Sequence, residues 1–428
     1  MYKIDLKQFR LLLLLPAILL LINCSGSDEN GENGNGGQED TAYTVQRAAI
    51  VAVTSKGSVS AEATYSWSVT NAPSENYALA NSTAKEALFA ATEVGLYELT
   101  VSITDKGIVQ TQKIMVKVSK EIKELKTYIA KVFDFKPAPG QFINDLPAAN
   151  DGDTFEKILG RANSYLAKKN GDLLSLGAFG GYIVFGFDHT IVNVKGKRDF
   201  RILGNAFWAD ANPNPDVTMR GGSSEAGVIM VSYDKNKNGL PDDEWYEIEG
   251  AGHKMKKTIH NYEITYYRPD PNKIPVPGGT TGTVGFVDME YILWKDNQGK
   301  SGYLVQNNAH NHSLDYWPKW LRNQESITFK GTRLPDNAVD ESGKGNYFVQ
   351  YAFLYGYADN APNNDNDSGI DIDWTIDKNG NKFQLPGIDF VKVYNGLNQQ
   401  AGWLGETSTE LMGASDLHLL GENIPTRP

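Results

Sequence analysis

Residues 234–244 carry oxygen-bearing side chains at the spacing of a calcium-binding loop. The segment reads Asp-Lys-Asn-Lys-Asn-Gly-Leu-Pro-Asp-Asp-Glu, with side-chain oxygens at positions one, three, five and nine and glycine at position six. Position twelve is Trp245, where an EF-hand loop has glutamate, so an earlier carboxylate would have to complete the coordination of the calcium ion. The alternative is a turn closed by its own side-chain hydrogen bonds. The predicted ligands of a structural Ca²⁺, Leu240 through its carbonyl, are Asp234, Asn236, Asn238, Leu240, Asp242 and Glu244.

Aromatic residues in loops, together with two histidines, form a second group of candidates. His310 and His312 alternate and could ligate a metal, or simply hold a loop through hydrogen bonds. Flat rings beside Asn- and Asp-rich loops favour a small-ligand site, whereas packing in a core is the structural alternative. The candidate ligand-binding residues are Trp208, Trp245, Tyr246, His310, His312, Trp317, Trp320 and Trp403.

The sequence contains no complete motif of covalent catalysis. Gly222-Ser-Ser-Glu-Ala-Gly227 has one residue too many for a nucleophile elbow, and no phosphate-binding or dinucleotide fingerprint is present. Asp371 and Asp373 alternate with apolar residues, which predicts two carboxylates on one sheet face that are solvated, bind a metal or are paired as in a glycosidase. We therefore expect no enzyme, while a carboxylate pair from distant strands would leave no local signature.

The N-terminus has the features of a secretory signal. Lys3, Lys7 and Arg10 precede an apolar run from residue 11 to 22, which is short for a transmembrane helix. Residues 21–24, Leu-Ile-Asn-Cys, resemble a bacterial lipoprotein processing site, which implies a signal peptide over 1–23 and lipidation of Cys24. Residues 24–40 then read as a flexible acidic tether that resembles the surface-export signal of Bacteroidota lipoproteins. The predicted location is the outer membrane, lipid-anchored and facing the cell exterior.

Composition narrows the class of protein further. A formal net charge of −11 argues against nucleic acid and against anionic lipid surfaces. The single cysteine, Cys24, leaves the body of the chain without disulfides or thiol chemistry.

Two β-rich segments follow the tether. In residues 41–120 the apolar positions alternate, as in Tyr65, Trp67 and Val69, which predicts an immunoglobulin-like sandwich. Its Tyr-Ser-Trp-Ser-Val and Val-Gly-Leu-Tyr-Glu-Leu-Thr-Val strings resemble the PKD family of extracellular spacer domains. The pattern of strand and turn residues over 130–428 predicts a larger antiparallel β-sandwich or jelly-roll-like ligand-binding domain, with one helix near 153–169. The expected fold class is mainly β.

Several strings in this larger domain resemble surface lipoproteins that combine a PKD domain with such a C-terminal part in gut Bacteroidota. They include Asp-Phe-Arg-Ile-Leu-Gly-Asn-Ala-Phe at 199–207, Asp-Asp-Glu-Trp-Tyr-Glu at 242–247 and Gly-Trp-Leu-Gly-Glu-Thr-Ser-Thr-Glu at 402–410. Some lipoproteins of this kind are similar to accessory proteins that pass cobalamin (vitamin B12) to a TonB-dependent outer-membrane transporter. The resemblance implies capture of cobalamin, whose cobalt one imidazole could meet; the alternatives are a glycan-binding module and, after it, a secreted glycosidase.

Overall fold

The computed structural model describes residues 41–209 and 220–427. The predicted signal peptide, Cys24 and the tether lie outside these residues. Within them the chain is mainly β, arranged in several antiparallel sheets, so the predicted fold class is confirmed. No helix in this described part is long and apolar enough to cross a membrane.

The N-terminal unit is a two-layer sandwich. Its strands are β1 (Thr41–Gln46), β2 (Val51–Thr54), β3 (Thr64–Asn71), β4 (Tyr77–Ala80), β5 (Glu86–Ala91), β6 (Gly95–Asp105) and β7 (Ile108–Ser119). One sheet has the order β1-β7-β6-β3 and the other β2-β5-β4. Strand β1 runs parallel to β7, and the other neighbours are antiparallel.

The core of this sandwich consists of the residues that the alternating pattern selects. Successive side chains of a strand point to opposite faces, so every second residue is turned inward. Trp67 is 5% exposed, and its indole N–H donates to the Ala84 carbonyl at 2.8 Å. The inward positions of β6 and β7 are buried, namely Tyr97, Leu99, Val101, Ile103, Ile114, Val116 and Val118.

The larger domain contains further short strands, one α-helix and several 3-10 helices in its described part. The first elements are β8 (Lys131–Lys136), α1 (Phe155–Leu166), β9 (Leu174–Ser175), β10 (Tyr182–Val192), β11 (Phe200–Leu203), β12 (Phe207–Trp208), β13 (Gly221–Ser223), β14 (Gly227–Ser232), β15 (Tyr246–Ile248), β16 (Ile259–Tyr267), β17 (Thr280–Thr281), β18 (Val284–Asp296) and β19 (Ser301–Asn307). The remaining strands are β20 (Ser326–Arg333), β21 (Ala338–Asp340), β22 (Phe348–Tyr351), β23 (Gly369–Ile370), β24 (Thr375–Ile376), β25 (Gly387–Asn395), β26 (Glu410–Leu411) and β27 (Gly413–Asp416). The 3-10 helices are Ala309–Asn311, Lys319–Leu321, Asn366–Ser368, Ile372–Trp374 and Gly402–Leu404.

A six-stranded antiparallel sheet lies at the centre of this domain, in the order β24-β15-β14-β25-β10-β8. A second sheet joins β17, β18, β16 and β20, with β19 paired to β18. Smaller sheets, β12-β13-β22-β21, β23-β11-β27 and β26-β9, complete the domain. The short strands β13, β22 and β26 carry or border the candidate site described below.

Helix α1 confirms the predicted helical segment. Thr154 is its N-cap and accepts a hydrogen bond from the Lys157 backbone N–H. Ile158, Ala162 and Leu166 share one face of the helix and are buried in the main core. The helix therefore covers the β8 edge of the central sheet.

The aromatic run at 347–357 is a strand only over Phe348–Tyr351. Beyond it, the Asn360 side chain accepts from the Phe353 N–H at 2.8 Å and donates to the Phe353 carbonyl at 2.6 Å. This amide takes the place of a neighbouring strand, so the chain leaves the sheet and buries Phe353 and Tyr357 in a separate cluster. The alternation of Tyr351, Phe353, Tyr355 and Tyr357 in the sequence predicts one strand with a tyrosine stripe on one sheet face, and this prediction is wrong beyond Tyr351.

The predicted sheet face with Asp371 and Asp373 is wrong as well. Residues Ile372–Trp374 form a 3-10 helix, and the Asp371 side chain accepts from the Asp373 backbone N–H at 2.8 Å. Aspartate competes with a strand in this way because its short side chain bonds the nearby backbone.

The N-terminal sandwich packs against the larger domain. Ala78 and Ala90 meet Val192 and Val194 in a small apolar cluster. Beside it, the Thr190 N–H donates to the Ala48 carbonyl at 2.9 Å. The sandwich is therefore joined to the larger domain by side-chain packing as well as by the chain.

Candidate functional site

A cleft of about 480 Å³ opens between the loop before β26 and the strands β13 and β22. Three glutamates line its inner part, which we call the acidic floor: Glu225, Glu406 and Glu410. Aromatic side chains surround its mouth, which we call the aromatic rim: Phe207, His310, Tyr347, Phe348 and Trp403. A volume of this size is within the range of small-molecule sites.

Asp359 fixes the geometry of the floor from behind. Its backbone has a positive φ of 50°, and its carboxylate accepts from the backbone N–H groups of Asn205, Ala206 and Glu410 at 2.9–3.0 Å. The Asp359 carbonyl accepts from the Glu225 N–H at 2.8 Å. One residue thus holds the segments that carry Glu225 and Glu410 side by side.

Glu225, Asp359 and Glu410 form a close group, which we call the carboxylate triad. One oxygen of each lies within 4.8 Å of the others. Burial raises the pKa of Glu225 and Asp359 well above their ordinary values, and the charge of Glu410 adds to both shifts. Burial also raises the pKa of Glu410, although hydrogen bonds from its neighbours oppose that shift. The triad therefore resists carrying three free negative charges.

Glu406 is a separate buried acid of the floor. It is 6% exposed, and burial raises its pKa to about 8. The Gln141 backbone N–H donates to Glu406 Oε1 and partly opposes this shift. Gly140 approaches the carboxyl group so closely that a Cβ there would lie 2.4 Å from Glu406 Oε1. At neutral pH Glu406 is therefore mainly a neutral carboxylic acid.

The aromatic rim leaves much of its ring surface open. Phe207 and Tyr347 are 58% and 49% exposed. The Trp403 indole N–H donates to the Asn346 carbonyl at 3.2 Å, which fixes the ring beside His310 at a centroid distance of 6.0 Å. Aromatic surface of this kind, gathered around one cleft, is typical of a binding site.

The structure brings together two of the predicted ligand-binding residues, His310 and Trp403. His310 has a positive φ of 58°, is exposed, and makes no hydrogen bond from its ring to any described residue. His312 lies behind the rim with Nδ1 2.7 Å from the Ser313 carbonyl and Nε2 3.1 Å from the Gln141 amide. Burial lowers the pKa of His312, so it is neutral and holds the loop.

Three other predicted residues lie away from this cleft. The Trp208 N–H donates to Asp365 at 2.9 Å, and the Arg220 guanidinium lies 4.6 Å from its ring. Trp245 is half-buried and lines a different cavity, of about 570 Å³. Tyr246 is 5% exposed and stacks on Phe383 at a centroid distance of 4.3 Å.

Trp317 and Trp320 pack against other side chains of the domain. Trp317 is 2% exposed, and its indole N–H donates to the Leu321 carbonyl at 3.2 Å. Trp320 is half-buried and lies against Phe135 at a ring-centroid distance of 6.1 Å. Neither presents an open ring face comparable to those of the aromatic rim.

Replacing Trp317 by alanine should lower the free energy of unfolding by about 3–5 kcal/mol, because the change empties a large core volume. Chemical denaturation of wild type and variant measures this loss. Trp317→Ala with wild-type stability would contradict the core assignment.

The 234–244 loop folds into a network of its own side chains. Asp234 accepts from the backbone N–H groups of Asn238 and Gly239 at 3.0 and 2.8 Å. The amides of Asn236 and Asn238 donate to the two oxygens of Asp242 at 3.0 and 2.9 Å. Gly239 has a φ of 73°, the left-handed conformation that glycine adopts without strain.

This loop brings four of the six predicted calcium ligands into one network: Asp234, Asn236, Asn238 and Asp242. The N–H of Leu240 donates to Asn238 Oδ1 at 2.8 Å, which ties Leu240 to the same loop. Glu244 accepts from the Tyr246 hydroxyl at 3.1 Å instead. The oxygen donor set fits Ca²⁺, which remains a prediction for this loop.

If the loop binds calcium, a concentration of about 100 times its Kd stabilises the folded chain by about 2.7 kcal/mol. Asp242→Ala should remove this increment, because both asparagine amides lose their partner and the shell loses a carboxylate. Thermal denaturation with calcium and with EDTA measures it. An identical calcium response in wild type and variant would contradict the prediction.

Four residues of the cleft were not predicted from the sequence: Glu225, Asp359, Glu406 and Glu410. Glu225 lies in the segment rejected as a nucleophile elbow, and Asp359 has no local motif. Glu406 and Glu410 lie in the string 402–410 that carries the resemblance to surface lipoproteins. That string, with Trp403 in it, was the signal that could have located the site.

Comparison with known proteins adds little to this geometry. No protein-family model matches the chain. No curated protein matches it either. Among solved structures, the chain is similar to the PKD domain from KIAA 1837 protein, at 19% identity over 22% of this chain and 97% of that domain, with a TM-score of 0.17.

Proposed function

We propose that the cleft binds a bulky small molecule from outside the cell, with cobalamin as the ligand. The observation that carries the proposal is the joint placement of an open aromatic rim over a buried acidic floor. A ligand that matches this cleft needs an apolar face for the rings and hydrogen-bond donors for the floor. A corrinoid has both, as an apolar macrocycle with amide arms.

The rim matches the macrocycle. Phe207, Tyr347 and Trp403 expose apolar ring surface to water. Burying this surface under a ligand stabilises the complex by roughly 25 cal/mol per Å² of apolar area removed from water. A cleft of about 480 Å³ holds part of a ligand as large as a corrinoid. The rest of the ligand would remain outside, where an uptake partner could reach it.

His310 is what favours a corrinoid over other amphipathic ligands. Its imidazole stands at the rim, exposed and without a hydrogen-bond partner in the described chain. A neutral imidazole nitrogen is a common metal ligand. It would meet the cobalt of a macrocycle that lies against Trp403.

We propose binding without chemistry. The carboxyl oxygens of Glu225 and Glu410 lie within 4.8 Å and their side chains interact directly. The carboxyl groups of a retaining glycosidase stand about 5–5.5 Å apart, and those of an inverting enzyme farther still, because the scissile bond lies between them. The hydrogen bond between Glu225 and Glu410 leaves no room for a scissile bond between this pair.

A glycan is the second candidate ligand. Sugar rings stack on exposed aromatic residues such as Phe207 and Tyr347, and sugar hydroxyls donate to carboxylates. The rim and floor support this function as well, whereas His310 gives a glycan no particular advantage.

The proposed setting is the outer surface of the cell. Lipidation at Cys24 would anchor the chain in the outer membrane, and the tether of residues 24–40 would let the cleft reach past that membrane. A TonB-dependent transporter is the proposed receiver of the ligand. Support for this setting comes from the sequence resemblance, since these residues lie outside the described structure.

Isothermal titration with cyanocobalamin, and in parallel with a panel of oligosaccharides, tests the proposal. One-to-one binding of cyanocobalamin at micromolar concentration or tighter is the expected result. Binding of an oligosaccharide alone would replace cobalamin with a glycan. No heat with either ligand class would overturn the proposed function.

A further inference from the structure

The carboxylate triad has the geometry of a cation site. Calcium is held by oxygens at about 2.3–2.6 Å, so two ligands on opposite sides of the ion are about 5 Å apart. One oxygen each from Glu225, Asp359 and Glu410 falls within 4.8 Å of the other two. All three can therefore contact a single ion.

An unsatisfied oxygen points to a missing ligand in this place. Glu410 is 5% exposed, and its Oε1 accepts no hydrogen bond from any described residue. Buried polar atoms are nearly always paired, so this carboxylate oxygen calls either for a proton shared with Glu225 or for a cation.

Asn205 lies at the edge of the triad. The nitrogen of its side-chain amide donates to the two carboxylate oxygens of Asp359 at 3.1 and 3.2 Å.

The charge of the triad has no cationic partner among residues 41–209 and 220–427. No lysine, arginine or histidine of the described chain forms an ion pair with Glu225, Asp359 or Glu410. Protons shared between Glu225 and Glu410 would relieve part of the repulsion. Asp359 accepts three backbone N–H groups, which lower its pKa, although burial outweighs them and raises the pKa overall. A divalent cation would offset most of the charge of the ionised triad and leave these three hydrogen bonds in place.

We propose that Glu225, Asp359 and Glu410 bind one calcium ion at the floor of the cleft. Calcium matches the donors because carboxylate oxygens are hard ligands and the irregular arrangement suits its flexible coordination. This site does not depend on which organic ligand the cleft binds.

Calcium titration of the chelator-treated protein tests the site, with Glu410→Gln as the variant and Glu406→Gln as its control. Both substitutions replace a buried glutamate of the same floor by its isosteric amide. Glu410→Gln should weaken one class of calcium sites by at least about tenfold. Glu406→Gln should leave calcium binding unchanged, and the 234–244 loop contributes equally in both.

Equal calcium binding by wild type and a folded Glu410→Gln variant would overturn the proposal, because the triad would then hold protons only. Should circular dichroism show that Glu410→Gln does not fold, the wild-type protein decides. Crystals grown with MnCl₂, whose ion also prefers oxygen ligands, should give an anomalous peak between the three carboxylates. Absence of a peak there would overturn the site. Neither measurement uses cobalamin, so failure here is distinct from failure of the proposed function.

Discussion

Replacing Trp403 by alanine should weaken cyanocobalamin binding by roughly 30-fold or more, which corresponds to about 2 kcal/mol. Trp403 is held by its hydrogen bond to the Asn346 carbonyl, so its ring is already oriented before the ligand arrives. Removing it takes away the largest ring of the rim and the neighbour that positions His310. Titration calorimetry on both proteins gives the change in Kd.

Trp245→Ala is the matched control for this prediction. Trp245 is also a half-buried tryptophan that lines a cavity, but a different one from the cleft. The Trp245→Ala substitution should change the Kd for cyanocobalamin by less than about twofold, since mutations at distant sites act independently. Equal losses in both variants would mean that the tryptophans act through general stability, and that the cleft is not the site.

The second large effect concerns pH. In the calcium-free protein, stability should fall as the pH rises from about 4.5 to about 8, because Glu406 has a pKa near 8 in the folded chain against an ordinary 4.5. Within this window the folded chain binds more protons than the unfolded chain, so raising the pH favours unfolding. At 1.36 kcal/mol per pKa unit, the loss from Glu406 is about 5 kcal/mol.

His189 acts in the same direction. Burial alone lowers the pKa of His189, but hydrogen bonds to Asp416 and Asp188 outweigh burial and raise it. Its contribution to stability is complete below the ordinary histidine pKa and is lost as the pH rises through the raised value. The two groups together make the calcium-free protein more stable in mild acid than in mild base.

Glu406→Gln separates the two contributions. The variant cannot ionise at this position, so it should be more stable than wild type at pH 9 and should show a flatter dependence on pH. Urea denaturation in EDTA across pH 5–9 measures both curves. Parallel curves for wild type and variant would show that Glu406 ionises in the folded chain as it does in solution.

Sequence patterns were sufficient for the regular parts of the fold. Alternation located the inward residues of β6 and β7, because one face of each strand must be apolar. The helix near 153–169 could be predicted for the same reason, since its cap at Thr154 and its apolar face lie within one short segment. The oxygen spacing of residues 234–242 also found a real network, since its partners are a few residues apart.

The cleft could not be predicted from local sequence patterns, because its residues come from segments that are far apart in the chain. Asp359 accepts hydrogen bonds from the backbone N–H groups of residues 205, 206 and 410, and no local sequence pattern predicts these contacts. The tyrosine stripe failed for a related reason, since the Asn360 side chain replaced a strand partner. His310 and Trp403 were found as types of residue suited to a ligand, whereas their contact with one another required the fold.

Anomalous diffraction at the cobalt edge, from crystals of the protein with cyanocobalamin, tests cobalamin binding in the cleft most directly. The peak should lie in the cleft, beside Trp403 and within ligand distance of His310. A cobalt peak at the Trp245 cavity or on the N-terminal sandwich would contradict the assignment of the site.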